Sequence, residues 1–492
     1  MVFSSLFFLY AFLPASLLAY RLCRSLRAKN LCLLAFSLVF YAWGEPKYVL
    51  LLAVMALLDW LYALRIDEAR QRGEKGKGWL ILACITDLGL IGFFKYSGMI
   101  VSLFGEPPAF IRGIALPLGI SFYTFQLLTY VADVYRGTSR AQRKYWHVLL
   151  YAALFHQCVA GPIVRYGSIE KELFEGRDGS AELSEGVLRF SLGLGKKVLL
   201  ANPCGAVADA MLLADAALRG ADGTAAALKT LSGRSVLGLW LGVIAFALQI
   251  YFDFSAYSDM AIGMGKMLGL HYPENFDHPY ISRSASEFWR RWHMSLGTFF
   301  RDYVYIPLGG SRRGTGRTFL NLLAVWALTG LWHGASWNFV LWGLYWFVFA
   351  ATERLVRRAG GIKLPAFVSV PLSHIYLLLA ALLGWVLFKY TDLSLAGAVF
   401  RGLFGANGNP LTDFQSVITG RNNQWLLGFA ALSATPVWSA LLRRLKDHAA
   451  GEGALPGACR ILVYGLLPAA LLLLSTAGLV GNSYNPFLYF KF

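Results

Sequence analysis

Histidine is the side chain best suited to passing a proton near neutral pH, and two of the eight histidines stand in surroundings that suit such work. His333 lies in Leu328-Thr-Gly-Leu-Trp-His-Gly-Ala-Ser-Trp-Asn338, between apolar runs. Gly330 and Gly334 would let a second backbone or a substrate come close. A histidine shielded from water stays neutral and can take a proton from an attacking hydroxyl. The same residue could equally be structural, hydrogen-bonded to a neighbouring helix. Trp332 and Asn338 are nearby side chains able to steady an oxyanion.

His293 ends the run Phe288-Trp-Arg-Arg-Trp-His293. It sits within residues 282–317, which carry seven basic residues against Glu287 and Asp302. Arg290, Arg291 and Arg301 could hold the phosphates of a molecule such as coenzyme A, because a guanidinium fork pairs with phosphate oxygens bidentately. Binding of lipid headgroups is the plainer alternative. The interleaved Phe, Trp and Tyr residues suit helices lying in the cytoplasmic interface, rings at headgroup depth and arginines in water. Asp253 and Asp259, six residues apart in Tyr251-Phe-Asp-Phe-Ser-Ala-Tyr-Ser-Asp259, are expected to fix a helix by pairing with an arginine or a carbonyl. His156, ahead of Gly161-Pro162, is expected to be structural. There is no Walker loop, no GxSxG, no HExxH and no metal-ligand spacing, so no metal is implied. The six cysteines are scattered without a CxxC pair and read as small buried hydrophobes.

These residues must be positioned by elements built for a bilayer. Of 492 residues, 57% are hydrophobic and only 15% charged, well away from a soluble chain. Residues 31–43, 48–64, 79–94 and 376–388 are apolar on every side, which fits membrane helices rather than an alternating barrel. The net charge of +17 sits in short loops between apolar runs. That placement follows the positive-inside rule and favours a lipid surface over nucleic acid. The apolar run 3–20 has its basic residues after it rather than before it, unlike a signal peptide. Basic clusters at 21–29, 65–77 and 136–144 alternate with apolar runs and place both termini outside the cytoplasm.

The fold class expected is therefore all-α, polytopic, with about ten to fourteen membrane segments plus interfacial and re-entrant helices. Residues 146–163, 187–208, 236–251 and 256–270 are apolar but short or polar for plain crossings, and 164–186 and 211–234 read as connections. The apolar run 319–331 would rise only about 20 Å, so the chain should turn near Trp332-His333-Gly334 inside the membrane region. No internal repeat of the transporter kind is visible.

Three blocks, Pro117-Leu-Gly-Ile-Ser-Phe-Tyr-Thr-Phe125, Tyr251 through Met260, and Glu274-Asn275-Phe276 through Arg301-Asp302, together with Trp332-His333-Gly334, resemble the membrane-bound O-acyltransferase (MBOAT) family. The likeness is greatest to its alginate O-acetyltransferase branch and runs through nearly the whole chain as a single membrane domain. The resemblance implies that His333 is catalytic and lies in a channel, and that His293 belongs to a second sensitive motif near the cytoplasmic side. It places Asn275 and Asp253 among the supporting residues. It also implies cytoplasmic acetyl-CoA as acyl donor with no resident cofactor, a bacterial cytoplasmic-membrane location, an extracytoplasmic partner acetyltransferase and an exported polysaccharide as acceptor.

The terminal Phe487-Leu-Tyr-Phe-Lys-Phe492 looks like a motif proposed in related systems as an acyl relay, with Tyr489 as carrier. An interfacial aromatic anchor would use the same residues. D-alanyl transfer to teichoic acid and a solute or polysaccharide transporter are the alternative functions.

Overall fold

The computed structural model describes residues 1–180, 182–218, 221–361, 364–481 and 487–488. Among them all regular structure is helical, apart from one antiparallel bridge between Phe276 and Trp292. Among the described residues, seven helices are long and apolar enough to cross a membrane, or eight if the bent pair Phe414–Ser433 and Val437–Ala449 counts as one span.

That is fewer than the apolar runs suggested, for two local reasons. The runs 236–251 and 256–270 join into one helix, Val236–Leu268, whose 33 residues rise about 50 Å. The run 146–163 instead breaks after the short helix Tyr145–Ala153 into an irregular segment, 154–165, that is buried almost throughout. The two expected connections also hold helices, Tyr166–Phe174 and Ala221–Ser232.

The chain divides into two compact units. One comprises Met1–Leu194, Tyr257–Glu274 and Pro468–Lys491. Its spans Tyr48–Gln71 and Lys77–Ser102 pack on each other and on Ile120–Arg136. Ile120–Arg136 is buried along nearly its whole length. Arg189 holds Asp259 at 2.7 Å and also pairs with Glu274, so of the two expected partners, an arginine or a carbonyl, Asp259 has an arginine. His156 is fully buried, 2.5 Å from the Tyr272 hydroxyl, and burial lowers its pKa to about 3. Phe487 is buried edge-on against Tyr257, ring centroids 4.9 Å apart. Tyr489 lies outside the described residues.

The second unit comprises Gly195–Ala256 and Asn275–Leu467. It contains the helical hairpin Thr315–His333 and Trp337–Arg358, the span Ala366–Lys389, and the short helices Ala285–Arg291 and Met294–Phe300. Helix Thr315–His333 extends beyond the apolar run 319–331 at its start, and its 19 residues rise about 28 Å. The added length comes from Thr315, Gly316, Arg317 and Thr318, which are helical without being apolar, and the helix is not among those long and apolar enough to cross a membrane. The chain does break where the histidine motif lies, at Gly334.

Candidate active site

His333 is the last residue of its helix, and the close approach of the hairpin's arms fixes where it points. A β-carbon on Gly330 would fall on the Phe339 carbonyl, and one on Gly343 on the Trp326 carbonyl. The two glycine backbones lie against each other, so the helices meet with no side chain between them. Gly334 abuts the ring of Phe339 in the same way. His333 is consequently only 6% exposed. Its imidazole packs edge-to-face on Trp342 at 4.9 Å and on Phe388 at 5.2 Å, with Trp332 also at 4.9 Å.

His293 reaches the same aromatic cluster by a different route. Asn275-Phe276-Asp277 runs antiparallel to Arg291-Trp292-His293: the Asp277 N–H donates to the Arg291 carbonyl (2.9 Å), and the Met294 N–H to the Asn275 carbonyl (3.0 Å). His293 itself has φ +45°, in the left-handed region. A non-glycine residue is uncommon there, though histidine is among the enriched types. This residue breaks what would otherwise be one helix into Ala285–Arg291 and Met294–Phe300. Its ring stands edge-on to Phe254 at 4.7 Å and lies 5.6 Å from Trp332, which in turn touches His333.

The protonation of His293 follows from its partners. The Ser295 N–H donates to Asn275 Oδ1 (3.2 Å), and the Ser295 hydroxyl does likewise (2.8 Å). A backbone N–H can only donate, so that atom of Asn275 is the amide oxygen. His293 Nδ1, 3.1 Å from it, must carry the hydrogen. Nε2 is then a bare acceptor, buried and without a hydrogen-bond partner among the described residues. Burial lowers the His293 pKa to about 3, so the ring is neutral at physiological pH.

The aromatic residues of 282–317 were expected at headgroup depth, but Phe288, Trp292, Phe299 and Phe300 are buried. Phe288 stacks between Trp292 (5.5 Å, 16°) and Trp346 (5.5 Å, 5°). Trp289 stands edge-on to Trp342 and Trp346. Composition could not distinguish an interfacial ring from a core ring, since both want an apolar face. Glu353 ties this segment to the hairpin. Its carboxylate accepts from the Ala285 and Ser286 N–H groups, the Ser286 hydroxyl (2.7 Å) and the Tyr376 hydroxyl (3.1 Å).

The other expected site residues separate. Arg291 is engaged by Glu287 (3.1 Å) and Asp277 (2.9 Å), and Arg301 by Asp302 through two bonds. Arg290 is exposed, with no ion pair among the described residues. The amide nitrogen of Asn338 donates to the Leu387 and Phe388 carbonyls (3.0 and 3.3 Å). That amide fastens the hairpin to the end of span Ala366–Lys389, and its donors are not directed at an oxyanion. Asp253 takes a lysine rather than an arginine, Lys197 at 2.6 Å, both side chains nearly fully buried.

Sequence reasoning missed Lys197. The signal available was Lys196-Lys197 inside the apolar run 187–208, a position where charge is costly without a partner. Lys197 sits in a π-helical turn, Lys196–Ala201, which interrupts the helix there.

The family model described as MBOAT, membrane-bound O-acyltransferase family, matches residues 141–390, a stretch that contains Asn275, His293 and His333. Among curated proteins, the chain is 36% identical over 521 residues to a probable alginate O-acetylase, AlgI, of Azotobacter vinelandii, covering 100% of each. This chain belongs to the MBOAT family. The corresponding protein of Pseudomonas aeruginosa is 38% identical over 82% of this chain and 75% of its own length. A peptidoglycan O-acetyltransferase of Helicobacter pylori is 29% identical over 89% of this chain and 87% of its own. The chain thus falls in the alginate O-acetylase-like branch of the MBOAT family, as a multi-pass membrane acyltransferase.

Proposed function

We propose that this MBOAT protein moves an acetyl group from acetyl-CoA at the cytoplasmic face to an acceptor outside, for O-acetylation of an exported polysaccharide such as alginate. The observation that carries this reading is the placing of two buried histidines on one aromatic cluster, with Trp332 touching both rings. It is supported by the full-length likeness to probable alginate O-acetylases.

In this reading His333 is the general base. It takes the proton of the accepting hydroxyl as that oxygen attacks the thioester carbonyl. The C–O bond forms, the C–S bond breaks, and coenzyme A leaves as a thiolate that takes up a proton to become the thiol. His293 offers its bare Nε2 as a hydrogen-bond acceptor to a donor group on the substrates, with Asn275 and Ser295 holding its tautomer. Arg290 is the guanidinium open to a phosphate of the donor. Arg291 and Arg301 would first have to exchange a carboxylate for one. The packed indoles and Phe388 keep water from the activated ester. An extracytoplasmic partner acetyltransferase then receives the group, either directly or through an aryl ester on Tyr489.

The test is transfer of labelled acetyl from acetyl-CoA by the protein in proteoliposomes, comparing wild type with His333→Ala and Tyr489→Phe. Coenzyme A release that disappears in His333→Ala supports the reading. Coenzyme A release that persists in Tyr489→Phe while labelled protein is lost supports the relay. Normal transfer by His333→Ala would remove the core of the proposal.

A further inference from the structure

Spans Tyr48–Gln71 and Lys77–Ser102 each contain a single carboxylate deep within an apolar stretch, Asp59 and Asp87. Asp59 lies eleven residues from Tyr48 and twelve from Gln71, near the middle of its span. Asp87 lies ten residues from Lys77. An ionisable side chain at such a depth is costly and calls for a partner.

The usual partner is missing. Both side chains are fully buried, and among the described residues no other group donates a hydrogen bond to any of their four carboxyl oxygens. The two carboxyls instead neighbour each other where the two helices pack. The helices are pinned beside them by the Tyr62 hydroxyl, 3.1 Å from Thr86 Oγ1.

The titratable groups that feel the pair are neutral ones. Cys84 lies on the same helix as Asp87, and Tyr123 and Tyr130 come from Ile120–Arg136. From Tyr145–Ala153, which also packs on Tyr48–Gln71, Tyr145 directs its hydroxyl to the Ala53 carbonyl. No lysine, arginine or histidine pairs with either carboxyl among the described residues.

Two carboxylates in contact, each without a donor, repel strongly in a medium of low dielectric. A carboxyl-to-carboxyl hydrogen bond exists only when one of the two carries a proton, as in other acid pairs. A hard metal cation is a poorer occupant. Calcium takes six to eight oxygens and magnesium an octahedron, whereas here the two helices keep their carbonyls in their own hydrogen bonds.

We propose that Asp59 and Asp87 form an intramembrane proton site, an acid pair sharing a proton between two spans. Holding the proton joins Tyr48–Gln71 to Lys77–Ser102, and losing it drives them apart. The pair uses no histidine and makes the packing of this unit responsive to proton supply.

The test is infrared spectroscopy of the full-length protein in liposomes at neutral pH, which separates a protonated carboxyl from a carboxylate without requiring a reagent to reach the site. Wild type should show a protonated-carboxyl carbonyl band that shifts on deuterium exchange and is lost in Asp59→Asn/Asp87→Asn. Single Asn variants, near-isosteric and able to donate to the remaining carboxyl, serve if the double variant does not fold. A sodium titration of wild type needs no variant at all. Absence of the band from wild type, its persistence in folded Asn variants, or its disappearance on adding sodium would each overturn the proton site, the last in favour of a bound cation.

Discussion

Asn275 and His293, eighteen residues apart in sequence, are held 3.1 Å apart by a short antiparallel pairing, and the amide oxygen of Asn275 dictates which nitrogen of His293 carries its proton. Orientation and tautomer are therefore set before any substrate arrives. Removing the amide in Asn275→Ala frees the ring to rotate and to move its proton. Acetyl transfer should fall by about tenfold to a hundredfold, the usual range for losing a group that orients a functional histidine. Asn275→Asp, which keeps an acceptor, should recover part of the turnover and shift the pH profile, because a carboxylate beside Nδ1 favours the imidazolium. A purely structural role would lower the amount of folded protein in both variants without moving the pH profile.

Burial gives His293 a second measurable property. With its pKa near 3 in the folded protein and about 6.5 when unfolded, the unfolded chain binds a proton that the folded one refuses between those values. Stability is then fully present above pH ~6.5 and is lost as pH falls through this window, by about 1.4 kcal/mol per pH unit. Thermal unfolding in detergent from neutral to mildly acidic pH should show this slope in wild type and a shallower one in His293→Gln. Equal slopes would assign the acid sensitivity to other groups.

If His333 is the base, its loss should cost rate without costing the fold. His333→Ala or His333→Gln is expected to slow coenzyme A release by roughly 10²–10⁴. The melting temperature should stay close to wild type in His333→Gln, which keeps more of the packing on Trp342 and Phe388. A loss of melting temperature in step with activity would make His333 a packing residue.

Glu353 makes a prediction about communication between the hairpin and the His293 segment. Its carboxylate receives the first N–H groups of Ala285–Arg291, the Ser286 hydroxyl and the Tyr376 hydroxyl. Glu353→Ala should destabilise the protein by about 1–3 kcal/mol through partly buried donors left unmatched. Glu353→Gln, which retains one acceptor oxygen, should lose less. Chemical denaturation of the two variants compares them directly, and equal losses would mean that charge rather than acceptor number holds the segment.

What the sequence made legible depended on whether a residue's role was local. Continuous apolar runs announced the spans, and the glycines flanking His333 announced a close approach, because both are statements about a few neighbouring residues. Merging of 236–251 and 256–270 was not legible, since the partners that let Asp253 and Asp259 lie within one helix, Lys197 and Arg189, are each more than fifty residues away. The same held for Arg291 and Arg301, whose carboxylate partners leave Arg290 as the open guanidinium. The approach of Asp59 and Asp87 was not legible either, since they lie twenty-eight residues apart on two helices and come together only when those helices pack.

The crossing of Gly330 and Gly343 yields the sharpest test of how the site is built. Each glycine presents its missing β-carbon to the opposite backbone: the Phe339 carbonyl for Gly330 and the Trp326 carbonyl for Gly343. Those obstacles are main chain and cannot swing aside as a flexible side chain would. Gly330→Ala or Gly343→Ala must therefore push the helices apart, an overpacking cost of about 1–3 kcal/mol. Separation would move Trp342 away from His333, which now lie 4.9 Å apart, so turnover should fall further than stability alone explains. Gly316, with open space where its β-carbon would stand on the same helix, is the internal control, and Gly316→Ala should leave both activity and melting unchanged. If Gly330→Ala and Gly316→Ala behave alike, the close crossing does not position His333.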